Sequence, residues 1–250
     1  MPIRWLTIFF DFPAEVFDLG VSFWREVTGS QLSPYRGPAG EFATLLPSHG
    51  DAYLRVQRVR EGEGGCHLDL HVDDAGPLDE AAAHATALGA RVRHRDDDLV
   101  ILGSPGGFIF CIVRWNGEAT VPRPVRLDRG GASRADQLCL DIPPGAFEGE
   151  CAFWAGLTGW QLRPGGPPEF AYLERPDPMP ARLLLQRRER AAPRDRVSAH
   201  VDFACTDRTR LAERHVAAGA QILARFPFWV VMADPAGRQY CLTARDPGAG

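Results

Sequence analysis

The feature that most constrains this chain is that it is written twice. Setting residue n against residue n+130 aligns Phe23-Trp24 with Phe153-Trp154 and Thr28-Gly29 with Thr158-Gly159. Ala87-Leu88-Gly89-Ala90 meets Ala217-Ala218-Gly219-Ala220, Pro105 and Gly107 meet Pro235 and Gly237, and Cys111 meets Cys241. Between these anchors the offset drifts, pairing Gln57 with Gln186 and His67-x-Asp69 with His200-x-Asp202, as loops do between fixed elements. The join, Trp115 to Ser133, is rich in Pro, Gly and charge and has no apolar period, which is linker composition. The sequence therefore predicts a first domain over 1–115, a linker over 116–133 and a second domain over 134–250.

Each copy divides again. Ile3–Phe10 is an apolar, β-branched and aromatic run that reads as a strand. Pro13 then opens a helix with its apolar stripe at Phe17, Val21, Trp24 and Val27, repeated in the second copy as Phe147, Cys151, Trp154 and Leu157. Three short strands follow, near Gln31–Pro34, Glu41–Leu46 and Ala52–Val59. The second half begins with the alternating run Cys66–Val72, with Asp73-Asp74 as cap candidates before a helix over Pro77–Leu88. Strands near Arg91–Arg95, Leu99–Leu102 and Phe108–Arg114 complete it. The order strand, helix, strand, strand, strand thus occurs four times. One such unit leaves a sheet face uncovered, so two combine: an α+β fold in which paired βαβββ modules form a half-open, mixed-sheet barrel with a ligand cavity.

Composition excludes several functions. With 45% hydrophobic and 24% charged residues the chain is of globular type, and at a formal charge of -4 it has no basic stripe for nucleic acid. No segment approaches the roughly 20 apolar residues of a membrane span, and none resembles a leader peptide. The six cysteines are scattered without a C-x-x-C pair, as in reduced buried thiols. A cytoplasmic monomer or homodimer with a small-molecule partner is expected.

The chain resembles the vicinal oxygen chelate superfamily, which includes glyoxalase I, bleomycin-resistance proteins and extradiol dioxygenases. The resemblance spans both copies and is closest to the glyoxalase-like branch. It is carried by the four βαβββ modules, by F-W-x-x-x-T-G at the end of the first helix, and by H-L-D-L-H-V-D-D (67–74) and H-V-D-F-A-C-T-D (200–207). The endings S-P-G-G-F-I-F-C-I (104–112) and D-P-A-G-R-Q-Y-C-L (234–242) are its most specific pieces. The resemblance implies metal-ligand positions at Arg4, Gln57, His67 and Cys111, and at Arg134, Gln186, His200 and Cys241. Arginine does not ligate metals and Gln is a poor substitute for a carboxylate, so no intrinsic metal and no cofactor are expected.

His67 with Asp69, and His200 with Asp202, share a strand face and are the candidate catalytic residues, whereas His71 lies about 13 Å from His67 along the strand. Two readings stand. In one the His takes a proton or orients a ligand; in the other the Asp pairs with Arg4 or Arg134 and pins the sheet. Candidate ligand-binding residues are Arg4, Gln57, His71, Cys111, Arg134, Gln186, Trp229, Tyr240 and Cys241. Phe226-Pro227-Phe228-Trp229, set where the first copy has Asp96-Asp97-Asp98-Leu99, suggests that the second cavity takes a flat, partly aromatic molecule. The expected function is binding of such a molecule. A metal-dependent glyoxalase-type lyase or extradiol-type dioxygenase is the first alternative, and a non-catalytic structural or partner-binding protein the second.

Overall fold

A computed structural model describes residues 2–73, 78–127, 130–190 and 195–248. The first copy runs β1 (Ile3–Pro13), α1 (Phe17–Val27), β2 (Gln31–Leu32), β3 (Phe42–Leu46), β4 (Leu54–Val59), β5 (Gly65–Val72), α2 (Leu78–Ala87), β6 (Arg91–Arg95), β7 (Leu99–Gly103) and β8 (Ile109–Arg114). After β9 (Val125–Arg126), the second runs β10 (Ala132–Ile142), α3 (Phe147–Thr158), β11 (Gln161–Pro164), β12 (Phe170–Glu174), β13 (Arg182–Arg187), β14 (Ser198–Cys205), α4 (Arg208–Ala217), β15 (Gln221–Arg225), β16 (Trp229–Ala233) and β17 (Gln239–Thr243). The predicted module order is present four times in this α+β fold.

Each copy forms one mixed sheet. The first has the order β2-β3-β4-β1-β5-β8-β7-β6 and the second β11-β12-β13-β10-β14-β17-β16-β15, with β9 beside β10. The hairpins are antiparallel, while β5 pairs β8 and β14 pairs β17 in parallel, joined by the crossover through a helix that parallel strands need. Pro13 closes β1, and a 3-10 turn over Ala14–Val16 precedes α1, so the first helix begins later than Pro13 suggests. Gly159 caps α3 at φ 70° and Gly29 follows α1 at φ 60°, a conformation that a side chain would strain. Asp73 bonds Arg4, while Asp74 and Pro77 lie outside the described residues.

By compactness the chain divides differently from its repeats. One unit comprises Met1–Ile8, His67–Ala119 and Leu138–Ala199; the other comprises Phe9–Cys66, Thr120–Gln137 and His200–Gly250. Each unit has its own aromatic core. In the first, Trp154 of α3 meets Phe108, Phe110 and Phe153 with ring centroids 5.2–6.0 Å apart. In the second, Trp24 of α1 stacks on Phe10 at 3.9 Å and lies against Phe203 and Tyr240. Fully burying each such side chain stabilises by about 1.5–3 kcal/mol. Among the described residues no helix is long and apolar enough to cross a membrane.

Candidate functional site

Strand alternation sorts the H-x-D-x-H run. Leu68 and Leu70 of β5 are fully buried, as are Phe110 and Ile112 of β8, and Phe110 meets α3. His67, Asp69, His71 and Cys111 therefore project from the opposite faces of these strands. The parallel register sets Asp69 beside Cys111 and, in the second copy, Asp202 beside Cys241. In each copy one donor atom from the His, the Asp and the Cys lies within 4.8 Å of the other two.

In the second copy the three donors converge on one point. His200 Nε2 is 3.2 Å from Asp202 Oδ1 and 3.7 Å from Cys241 Sγ. Asp202 is 3% exposed, and among the described residues its Oδ1 finds no hydrogen-bond donor; the Gln137 amide donates to the other oxygen, Oδ2. A thiol–imidazole–carboxylate relay would use two different ring nitrogens, with the carboxylate on one and the thiol on the other. Here the same nitrogen is nearest both. In the first copy His67 Nε2 lies 3.8 Å from Asp69 Oδ1, which is likewise buried and without a hydrogen bond among the described residues. A buried carboxylate oxygen left in this state is costly unless a cation completes it.

The donor set fits a divalent metal ion. With about 2.0–2.1 Å to nitrogen and oxygen and about 2.3 Å to sulfur, a tetrahedral ion holds such donors about 3.3–3.6 Å apart, close to the spacing in the second copy. Arg4 does not reach Asp69: its Nε and Nη2 both lie 2.8 Å from Asp73 Oδ2, and its guanidinium sits 5.5 Å from the Trp115 ring. Neither Asp69 nor Asp202 contacts an arginine among the described residues, so the Asp–Arg pairing expected from sequence is corrected. Arg4 stands near the exposed start of β1, level with Asp73 rather than with Asp69.

The other sequence candidates scatter. His71 is buried, with Nε2 2.9 Å from Thr7 Oγ1 and Nδ1 3.6 Å from Glu118 Oε1. Burial works against ionising Glu118, but His71 and backbone amides hold it down at about 2. Gln57 faces Phe42 in the compact unit that does not hold His67, and Gln186 accepts from Cys139 Sγ at 3.4 Å in the unit that does not hold His200. Tyr240 is fully buried and shares a hydrogen bond of 2.9 Å with His215 Nδ1, so it belongs to the core rather than to a cavity. The strand pleat explains this, since Tyr240 and Cys241 point to opposite faces. Trp229 stacks on Phe226 at 4.8 Å, and Phe226 and Phe228 are exposed at the tip of the β15–β16 hairpin. Arg134 is buried and lines a separate cavity.

Sequence reasoning missed Gln137, whose counterpart at the repeat offset is Thr7, so no repetition marks it. Cys111 and Cys241 are among the ligand-binding candidates, and the strand register sets each beside the Asp of its own copy.

A family model of the glyoxalase-like domain matches residues 7–113 and again 137–243. The chain belongs to the glyoxalase-like domain family. Among solved structures this tandem glyoxalase-like chain is similar to a Mn(II)-bound glyoxalase from Novosphingobium aromaticivorans, at 17% identity and TM-score 0.65 over 97% of this chain and 81% of that one. It is similar also to 2,2',3-trihydroxybiphenyl 1,2-dioxygenase from Sphingomonas wittichii, at 16% identity and TM-score 0.64 over 96% and 90%. A catechol 2,3-dioxygenase matches at 14% identity and TM-score 0.61 over 100% and 91%. These likenesses establish the fold of the glyoxalase-like chain. No curated protein sequence matches it.

Proposed function

We propose that this glyoxalase-like protein is an enzyme acting on a small organic molecule with the help of a divalent metal. His67, Asp69 and Cys111 would hold it in the first copy, and His200, Asp202 and Cys241 in the second. The observation that carries the reading is the approach of a carboxylate oxygen without a hydrogen bond and a thiol sulfur to one and the same imidazole nitrogen. It stands against the expectation of no metal, whose ground was arginine and glutamine at the ligand positions that the resemblance implies; the set proposed here uses neither.

Bound there, the ion would supply Lewis-acid polarisation of a substrate oxygen or a water of lowered pKa. The chain's own residues prepare the site. His200 presents Nε2 toward the shared point, and Asp202 brings negative charge. Gln137 pins the other carboxylate oxygen, fixing the orientation of Oδ1. Burial of Asp202 removes competing water, which strengthens each electrostatic contact.

A set of one imidazole, one carboxylate and one thiolate suits a borderline-soft ion such as zinc. Non-haem iron that activates oxygen takes two imidazoles and a carboxylate. The donors therefore support glyoxalase-type lyase or isomerase chemistry over ring cleavage. Elemental analysis of protein purified without chelator tests this. The expected result is zinc or a similar ion approaching one per copy, lost in D69N/D202N, with a melting temperature that EDTA lowers. Wild-type protein that stays metal-free and unshifted in melting after zinc is added would contradict it.

A further inference from the structure

The two copies end on matching sheet edges of opposite character. β6 and β15 are the outermost strands of their sheets, and nearly every residue of both is exposed. In the first copy the edge reads Arg91-Val92-Arg93-His94-Arg95 and runs on into Asp96-Asp97-Asp98, a density of charge that keeps a sheet edge from pairing. Arg95 is neutralised within the copy by Asp79 of α2, 2.7 Å away. The second copy has Gln221-Ile222-Leu223-Ala224-Arg225 and then Phe226-Pro227-Phe228. There Leu223 is 49% and Phe228 70% exposed, and Ile222, Phe226 and Val216 of α4 are exposed as well. At the five matching positions the first copy has Thr86, Val92, Arg93, Asp96 and Asp98, of which Val92 alone is apolar.

The apolar strip is held in shape. The Phe226 amide donates to Trp229 O at 2.8 Å, Phe226 stacks on Trp229, and Arg208 Nη1 donates to Phe226 O. A surface already ordered loses little entropy on docking. A bulge between Ile222 and Ala224 interrupts the strand, so a partner meets side chains here rather than extending the ladder. Arg210 of α4 reaches Gly130 O, toward the β10 side of the sheet. Glu213 and Val216 lie on the other flank of the helix and face out over β15. Glu213 and Arg225 are exposed, and neither enters an ion pair among the described residues. The strip therefore carries one free charge of each sign, the negative one on the helix and the positive one on the strand.

We propose that this edge of the second copy is a self-association face, covered by the same face of a second copy of the chain. A two-fold contact must be self-complementary. An axis passing between β15 and α4 lays the apolar strip on itself and sets Arg225 of each molecule against Glu213 of the other, twice over. The same operation on the first copy would press Arg91, Arg93 and Arg95 against one another. The five exposed apolar side chains make a patch on the order of 400 Å², a size that marks an interaction surface rather than ordinary monomer surface. The face uses none of the His, Asp or Cys donors and stands apart from the metal proposal.

Sedimentation equilibrium of the full chain tests it. A reversible monomer–dimer equilibrium is expected at micromolar concentrations. L223R/F228D, which installs the first copy's residues at two exposed positions, should stay monomeric throughout while keeping its circular dichroism and melting temperature. R225E and E213R should each weaken the dimer about tenfold, because every exposed pair counts twice across the axis, and R225E/E213R should recover most of the loss. V92R, at the matching edge of the first copy, should leave the equilibrium unchanged. Co-sedimentation with phosphatidylglycerol vesicles covers the other occupant of an apolar face flanked by arginine. Wild type that is monomeric at every concentration, with or without vesicle binding, would overturn the assignment. So would a dimer that survives L223R/F228D, a charge swap that recovers nothing, or dissociation by V92R.

Discussion

Trp24 and Trp154 stand at matching positions of the two copies and anchor the cores of the two compact units, yet their indole N–H groups find different acceptors. Trp154 donates to Glu150 one turn earlier on the same helix, at 2.8 Å, and Glu150 also accepts from the Gly106 amide at 2.6 Å. Trp24 donates to Asp234 at 2.9 Å, and Asp234 also closes its own turn by accepting from the Arg238 amide. The substitution is reciprocal. At the repeat offset Glu150 corresponds to Gly20, where a Cβ would clash with the Phe12 ring, and Asp234 corresponds to Ser104. A buried indole needs an acceptor, and which chain segment supplies it is free to change after duplication.

The largest test removes one acceptor. Glu150→Ala leaves both the Trp154 indole and the Gly106 amide unsatisfied inside the core and should cost about 3–5 kcal/mol in urea denaturation. If the two units are equivalent, E150G/S104D, which imports the arrangement of the other unit, recovers most of that loss. No recovery would break the equivalence.

A second difference lies nearby. Where the first copy has Ala85 and Phe110, the second has His215 and Tyr240, hydrogen-bonded to each other in the core. Burial, aided by Arg214, pushes the His215 imidazole down to about 3. The unfolded chain therefore takes up a proton near pH 6.5 that the folded chain refuses. The stability tied to this group is complete above about pH 6.5 and is lost as the pH falls toward 3. Asp234, raised by burial, acts with the opposite sign, but it is present in wild type and in H215A/Y240F alike, so the difference between the two proteins isolates the histidine. Wild type should lose roughly 2 kcal/mol more than H215A/Y240F between about pH 7.5 and pH 5. Equal slopes in the two proteins would show that His215 does not titrate this way.

The two donor sets differ in support. Gln137 orients Asp202, whereas Thr7 at the matching position contacts His71 instead. Q137A should therefore weaken metal binding at the second site about tenfold, while T7V should leave the first unchanged. Titration of each variant against a competing chelator separates them.

Much of this fold was legible because both copies repeat the same apolar stripes. Phe17, Val21, Trp24 and Val27, and likewise Phe147, Cys151, Trp154 and Leu157, are all buried. The length of β1 was not, since Leu6, Ile8, Phe9, Phe10 and Phe12 are buried on both faces and no period-2 pattern marks its end. Nor were the compact units. Self-similarity marks the copies, not the contacts that join Trp24 to Phe203 and Tyr240. His67-x-Asp69 was legible as a shared face, but the third donor depends on a strand register some forty residues away in sequence, fixed by the parallel pairing of β5 with β8. Tyr240 was misplaced for a related reason: an aromatic next to Cys241 looks like a cavity residue until the pleat sends it the other way.

Cobalt substitution tests the central claim most directly, because a thiolate bound to Co(II) gives a near-ultraviolet charge-transfer absorption that imidazole and carboxylate alone do not. Titrating chelator-treated protein with Co(II) should raise that band until both copies are filled, with about half the amplitude in C241S and none in C111S/C241S. Absence of the band in wild type, or a band that survives in C111S/C241S, would contradict a metal held by the His-Asp-Cys sets.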